Sequence, residues 1–112
     1  MGEMDSADDV NRLKTTDYFD GWFDGLKDRL AKRRIQARIK NAEAGNFGDC
    51  KWNIKDGVSE MRIDYGPGYR LYFCQRGECI YLLLAGGTKD QQQRDIERAV
   101  EIKNELEREE RW

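Results

Sequence analysis

The sequence predicts an α+β domain in which helices cover one face of an antiparallel sheet. Three observations predict it. Apolar residues recur at helical spacing as far as Ala44, then alternate one-in, one-out from Cys50 to Phe73. The alternating half is punctuated by turn chemistry at Asp56-Gly57, at Gly66-Pro67-Gly68 and around Gly77. A helical period returns after Gly87 and carries the chain to its charged end. At 112 residues the chain is one domain with room for one modest core. Residues 1–9 read as a disordered acidic leader, 10–107 as the folded domain and 108–112 as a frayed tail.

Taken in order, Val10 to Thr16 is a weak strand candidate. Asp17 is placed to cap a first helix, on which Phe19, Trp22, Phe23, Leu26 and Leu30 form one apolar stripe. A second helix from Ala31 to Ala44 turns Ile35, Ile39 and Ala42 inward. Its other faces carry Lys32, Arg33, Arg34, Arg38 and Lys40. Cys50, Trp52 and Ile54 then alternate with Lys51, Asn53 and Lys55, giving a strand with an apolar and a basic side. Met61, Ile63 and Tyr65 lead into the Gly66-Pro67-Gly68 reversal, and Tyr69, Leu71 and Phe73 lead out of it. Arg62, Arg70 and Tyr72 are offered from the opposite side. Ile80 to Leu84 is apolar on both faces, as a strand in mid-sheet would be, and Gly86-Gly87 is expected to end it. Thr88 and Gln91 have the spacing of a capping box for a last helix with Ile96, Ala99, Val100 and Leu106 on one face.

Composition narrows the chemistry. The net charge of −2 hides a basic centre: Gly21 to Lys89 holds thirteen Lys or Arg against eight Asp or Glu, while both ends are acidic. The chain has no histidine, which removes Ser-His and Cys-His nucleophile pairs. Three scattered cysteines without histidine companions do not form a metal-ligand pattern or a disulfide scaffold, so no cofactor is expected and a cytoplasmic setting is. The longest apolar run, Ile80 to Ala85, is too short to cross a membrane, and the acidic start does not resemble a signal peptide. What remains is a basic sheet face made of Lys51, Lys55, Arg62, Arg70 and Tyr72, overlooked by Lys89. Fixed cations there suit a phosphodiester, because charge grows on phosphate oxygens when a 2′-hydroxyl attacks. Tyr72 is placed to stack on a base.

Three stretches in order carry a family resemblance: Val58-Ser59-Glu60-Met61-Arg62-Ile63-Asp64, Tyr65-Gly66-Pro67-Gly68-Tyr69-Arg70, and Leu83-Leu84-Ala85-Gly86-Gly87-Thr88-Lys89. Together they resemble the RelE/ParE toxin superfamily, and within it the HigB-like addiction-module killer proteins. The resemblance implies a RelE-like fold, an antiparallel sheet with two N-terminal helices on one face and a C-terminal helix. It implies a type II toxin that cleaves mRNA on the ribosome without metal. Arg70 then matches the arginine at the scissile phosphate, with Arg62 and Lys89 as the accompanying cations, and Arg33, Arg34 and Arg38 match a helix that meets ribosomal RNA. The implied partner is a cognate antitoxin, a helix-turn-helix DNA-binding protein. The C-terminal tyrosine of such nucleases has no counterpart in Gln92-Gln93-Arg94-Asp95. Tyr72 or Tyr65 replaces it, Glu60 or Asp64 supplies the base, or catalysis differs in kind. The ParE arm, which poisons DNA gyrase, and a non-catalytic antitoxin-binding relative stay open.

Overall fold

The computed structural model describes residues 9–109. The acidic leader up to residue 8 and the last three residues of the predicted tail lie outside the described residues. The elements run β1 (Arg12–Thr15), α1 (Asp17–Asp24), α2 (Arg29–Glu43), β2 (Cys50–Lys55), β3 (Val58–Ile63), β4 (Tyr69–Gly77), β5 (Ile80–Thr88), a 3₁₀ turn (Lys89–Gln91) and α3 (Gln92–Arg108). The five strands lie in the order β1-β5-β4-β3-β2. Strands β2 to β5 pair antiparallel as predicted. The expected first strand forms as β1, but it crosses to the far edge and pairs parallel with β5, so the sheet is mixed. Among the described residues no helix is long and apolar enough to span a membrane.

Sheet alternation feeds two cores rather than one. On the first face Met61, Ile63, Tyr69, Leu71, Phe73 and Leu83 meet Phe19 of α1 and Ala31, Ile35 and Ala42 of α2. On the second face Val58, Tyr72, Cys74, Leu82 and Leu84 meet Ala99, Val100, Ile102 and Leu106 of α3. The sequence predicts helices on one face and a charged outer surface on the other. Instead α3 covers much of that second surface, because its own apolar stripe can be removed from water only against a sheet that still has an apolar face to offer.

Local differences have local causes. Thr16, not Asp17, caps α1: its hydroxyl accepts from the Phe19 amide at 3.1 Å and donates to the Leu84 carbonyl at 2.7 Å. Asp28 caps α2 by accepting from the amides of Leu30 and Ala31. The predicted first helix therefore stops at Asp24, and Leu30 falls outside its stripe and is exposed. In β2, Asn53 sits at φ 48° and the register with β3 shifts between Lys51 and Lys55. Such a bulge re-aims side chains. Trp52 and Ile54, expected together on the apolar side of this strand, are separated. Trp52 is half-exposed against Phe47 and Phe73, and Ile54 joins the second core. The pair Gly86-Gly87 does not end β5 but lies inside it. A Cβ at Gly86 would overlap the indole of Trp22, and one at Gly87 the carboxylate of Asp95, so both glycines serve close approach. Thr88 hydrogen-bonds Asp90 rather than closing a capping box, and the 3₁₀ turn intervenes before α3.

Candidate functional site

The central reversal behaves as its residues require. Gly66 and Gly68 take φ 57° and 82°, and the Gly68 amide donates to the Tyr65 carbonyl at 3.0 Å. The Lys89 amide then donates to the Gly68 carbonyl at 2.7 Å, which pins the end of β5 beside the turn. Within the ladder Arg62 lies opposite Arg70, and Glu60 lies between Lys51 and Tyr72. All five project from the face that α3 covers. Where the N-terminal turn of α3 and the edge strand β2 diverge, a cavity of about 790 Å³ remains. Its lining includes Lys51, Glu60, Arg62, Lys89, Gln92 and Gln93.

Glu60 is the hub of this cavity. It is only 1% exposed. Its Oε1 lies 3.4 Å from Nε of Arg62, its Oε2 lies 3.7 Å from Nε of Arg70, and Nε2 of Gln92 donates to Oε2 at 2.6 Å. A buried carboxylate demands such partners, since an unpaired charge in a poorly hydrated layer is costly. Arg70 also donates from Nη1 to its neighbour's carbonyl, that of Tyr69, at 3.2 Å. Behind the pair, the Tyr72 phenol is enclosed. Burial pushes its pKa well above the ordinary tyrosine value, and the carboxylates of Glu60 and Asp95 push the same way. Burial likewise raises the carboxyl of Asp95, against the opposing pull of Arg94. The thiols of Cys50 and Cys74 are pushed up by burial to about 11 and about 12, so neither is an activated nucleophile.

The structure brings together three of the predicted site residues as cavity lining: Lys51, Arg62 and Lys89. Lys51 and Lys89 are exposed. Arg70 belongs to the same cluster but is buried at 8% exposure, not offered to solvent. Tyr72 is fully buried and has no open ring face, which corrects the expectation that it stacks on a base. Lys55 is exposed at the far end of β2, outside the lining. The helix cations do not converge on the cavity, because the buried residues of α2 belong to the first core. Arg33 is exposed there, Arg34 lies 4.7 Å over the ring of Tyr65, and Arg38 is structural. The Arg38 guanidinium donates to the carbonyls of Arg62, Phe47 (2.8 Å) and Asp49 (3.0 Å), tying α2 to the start of β2 and the end of β3.

No family model matches the sequence. Over 95 residues the chain is 45% identical to a protein of Haemophilus influenzae described as uncharacterized, an overlap of 85% of this chain and 95% of that protein. The chain belongs to the family of that protein. In this family member the overlap is long enough to take in most of the folded region, but the relative's description assigns no chemistry.

Two residues near the site, Gln92 and Trp52, carry no functional signal in the sequence. Gln92 belongs to no sequence pattern of its own, and its bond to Glu60 depends on how α3 docks. Trp52 keeps the side of β2 that alternation gives it, against Phe47 and Phe73, but at the sheet edge it stays half-exposed. A signal for Glu60 was present in the Glu60-x-Arg62 spacing, which sets an acid and a base on one strand face.

Proposed function

We propose that the chain is a HigB-like toxin of the RelE/ParE superfamily, a ribosome-dependent, metal-independent endoribonuclease that cleaves mRNA in the cytoplasm. The observation that carries the reading is the convergence of Lys51, Arg62 and Lys89 on one cavity whose floor is the buried Glu60. Three cations around an opening of this size suit a phosphodiester and one flanking nucleotide. In the proposed reaction the 2′-oxygen attacks phosphorus as the bond from phosphorus to the 5′-oxygen breaks. Of the groups left open to take the 2′-hydroxyl proton, only Glu60 lines the cavity. Asp64 is absent from the lining, Tyr72 is enclosed, and the Tyr65 hydroxyl is engaged with Asp28 at 3.1 Å. Lys89 gives a proton to the departing 5′-oxygen, and Arg62 and Lys51 neutralise charge on the phosphate oxygens. Arg70 acts from behind by holding Glu60 in place. The antitoxin is a helix-turn-helix protein encoded beside the toxin.

The test is induced expression in growing bacteria with primer extension on cellular mRNA. Wild type gives translation-dependent cuts, and co-expression of the adjacent reading frame restores growth. Lys89→Ala and Arg62→Ala slow cleavage by a factor on the order of 100 to 1,000, as loss of one preorganised charge-stabilising group does. Cuts unchanged in both variants would refute the site. One observation favours a second reading, the ParE-like gyrase poison: Arg70 is turned inward, 8% exposed and ion-paired to Glu60 at 3.7 Å, and is not presented to a substrate. Gyrase-linked DNA breaks without mRNA cuts would establish that reading.

A further inference from the structure

We infer that Gln92 is a positioning residue of this site, whose side-chain amide fixes the Glu60 carboxylate so that Oε1 is the atom that takes the 2′-hydroxyl proton; the inference rests on the reading of the cavity as a phosphodiester site with Glu60 as its base. Gln92 and Glu60 both line the cavity, and Nε2 of Gln92 donates to Oε2 of Glu60 at 2.6 Å. The amide presents its nitrogen there, because its oxygen would face a carboxylate. The charged neighbours hold Glu60 less specifically. Nε of Arg62 lies 3.4 Å from Oε1 and Nε of Arg70 lies 3.7 Å from Oε2, and neither nitrogen has a hydrogen-bond partner. At such separations the attraction is coulombic and changes slowly with distance, whereas a hydrogen bond weakens steeply once misaligned. The arginines therefore keep a charge in this layer, and Gln92 sets its rotation.

The amide is itself held in place. Gln92 opens α3 directly after the 3₁₀ turn, which Thr88 braces through its bond to Asp90. One turn further on, Ile96 packs against the second core, and Asp95 fits against the bare backbone of Gly87. Residues four apart share a helix face, so the contact that docks α3 also aims Gln92 at Glu60. The other groups that face Glu60 are Lys51 opposite it on β2, Arg62 on β3, and Arg70 and Tyr72 on β4. The Asp95 carboxylate of α3, like that of Glu60, acts on the Tyr72 phenol. Gln92 and Arg70 occupy Oε2, which leaves Oε1 on the side of Arg62 and the cavity. In the proposed step the 2′-oxygen bonds to phosphorus as its proton passes to Oε1, and the 5′-oxygen leaves with a proton from Lys89.

The test measures single-turnover cleavage of labelled mRNA on programmed ribosomes by the full chain, by Glu60→Gln, by Gln92→Met, which keeps the length but loses the donor, and by Gln92→Glu. Rates are taken against protein concentration and against pH, at a temperature below the thermal melt of every variant. Glu60→Gln should lose about 100- to 10,000-fold in maximal rate, as removal of a general base does. Gln92→Met should lose about 10- to 100-fold in maximal rate, as a misplaced reacting group does, with the half-saturating concentration unchanged. It should also need a higher pH to reach its plateau, because a carboxylate that loses a hydrogen-bond donor holds its proton more tightly. Gln92→Glu should need a higher pH still, since two adjacent carboxyls share one proton. If Gln92→Met keeps the wild-type maximal rate and pH profile while Glu60→Gln is inactive, the base stands and the positioning role is wrong. A change confined to the half-saturating concentration, or a slower rate with the pH profile unmoved, also overturns the positioning role. If Glu60→Gln cleaves like wild type, the base assignment falls, and if wild type cuts no mRNA, the phosphodiester reading falls; either result takes this inference with it.

Discussion

Replacing Arg70 with Ala separates a surface cation from an internal one. From the sequence, Arg70 is an exposed charge on an outer sheet face, and such charges contribute at most about 1 kcal/mol. In the folded chain it is 8% exposed and lies 3.7 Å from a carboxylate that is itself 1% exposed. Removing one partner of a buried pair costs about 3–5 kcal/mol, because the other charge stays behind. Glu60 would keep Arg62 at 3.4 Å and Gln92 at 2.6 Å, which sets the expectation at the lower end, about 3 kcal/mol. For a domain of this size that corresponds to a fall in melting temperature of about 12 °C. The assay is thermal unfolding of Arg70→Ala, Glu60→Gln and the double variant. The double variant should lie about 1–2 kcal/mol above the sum of the singles, since neutralising Glu60 removes the stranded charge. A fall of less than about 3 °C in Arg70→Ala, with additive singles, would refute the buried-pair argument.

Three further outcomes follow from the same packing. Leu71, fully buried in the first core, should cost about 2–5 kcal/mol when replaced by Ala, measured by urea unfolding; a loss under about 0.5 kcal/mol would mean the face is wrongly assigned. Thr16→Ala should cost about 1–2 kcal/mol by removing the cap of α1 and the bond to Leu84, whereas Thr16→Ser should retain most of it. Asp95 holds its proton more tightly folded than unfolded, so it favours folding below the ordinary aspartate value near 3.8 and loses that contribution as pH rises through its elevated folded value. Asp95→Asn should therefore be more stable than wild type at pH 7 and lose the advantage as pH falls toward 4. Equal stability at pH 7 would contradict the burial argument.

The residues by themselves determined most of the local structure. Alternation in Met61-x-Ile63 and Leu71-x-Phe73, and the reversal at Gly66-Pro67-Gly68, specify the β3–β4 hairpin through nearest-neighbour dihedrals and side-chain period. The stripe on α2 specifies that helix in the same way, and the strand alternation places Lys51 and Arg62 on strands and Lys89 at a strand end. What period alone does not state is which surface covers which. Whether the Arg70-Tyr72 face meets water or α3 depends on where residues 92–108 dock, and that is set by the pairing of two apolar surfaces far apart in the chain. The same docking brings Gln92 to Glu60 across 32 residues and encloses Tyr72. Parallel pairing of β1 with β5 and the turn of Ile54 toward the second core at the Asn53 bulge are likewise long-range outcomes. The cations of the site were therefore written in the strand pattern. Their division into an outer set and an internal one, centred on Glu60, was decided only when the second face of the sheet found its helix.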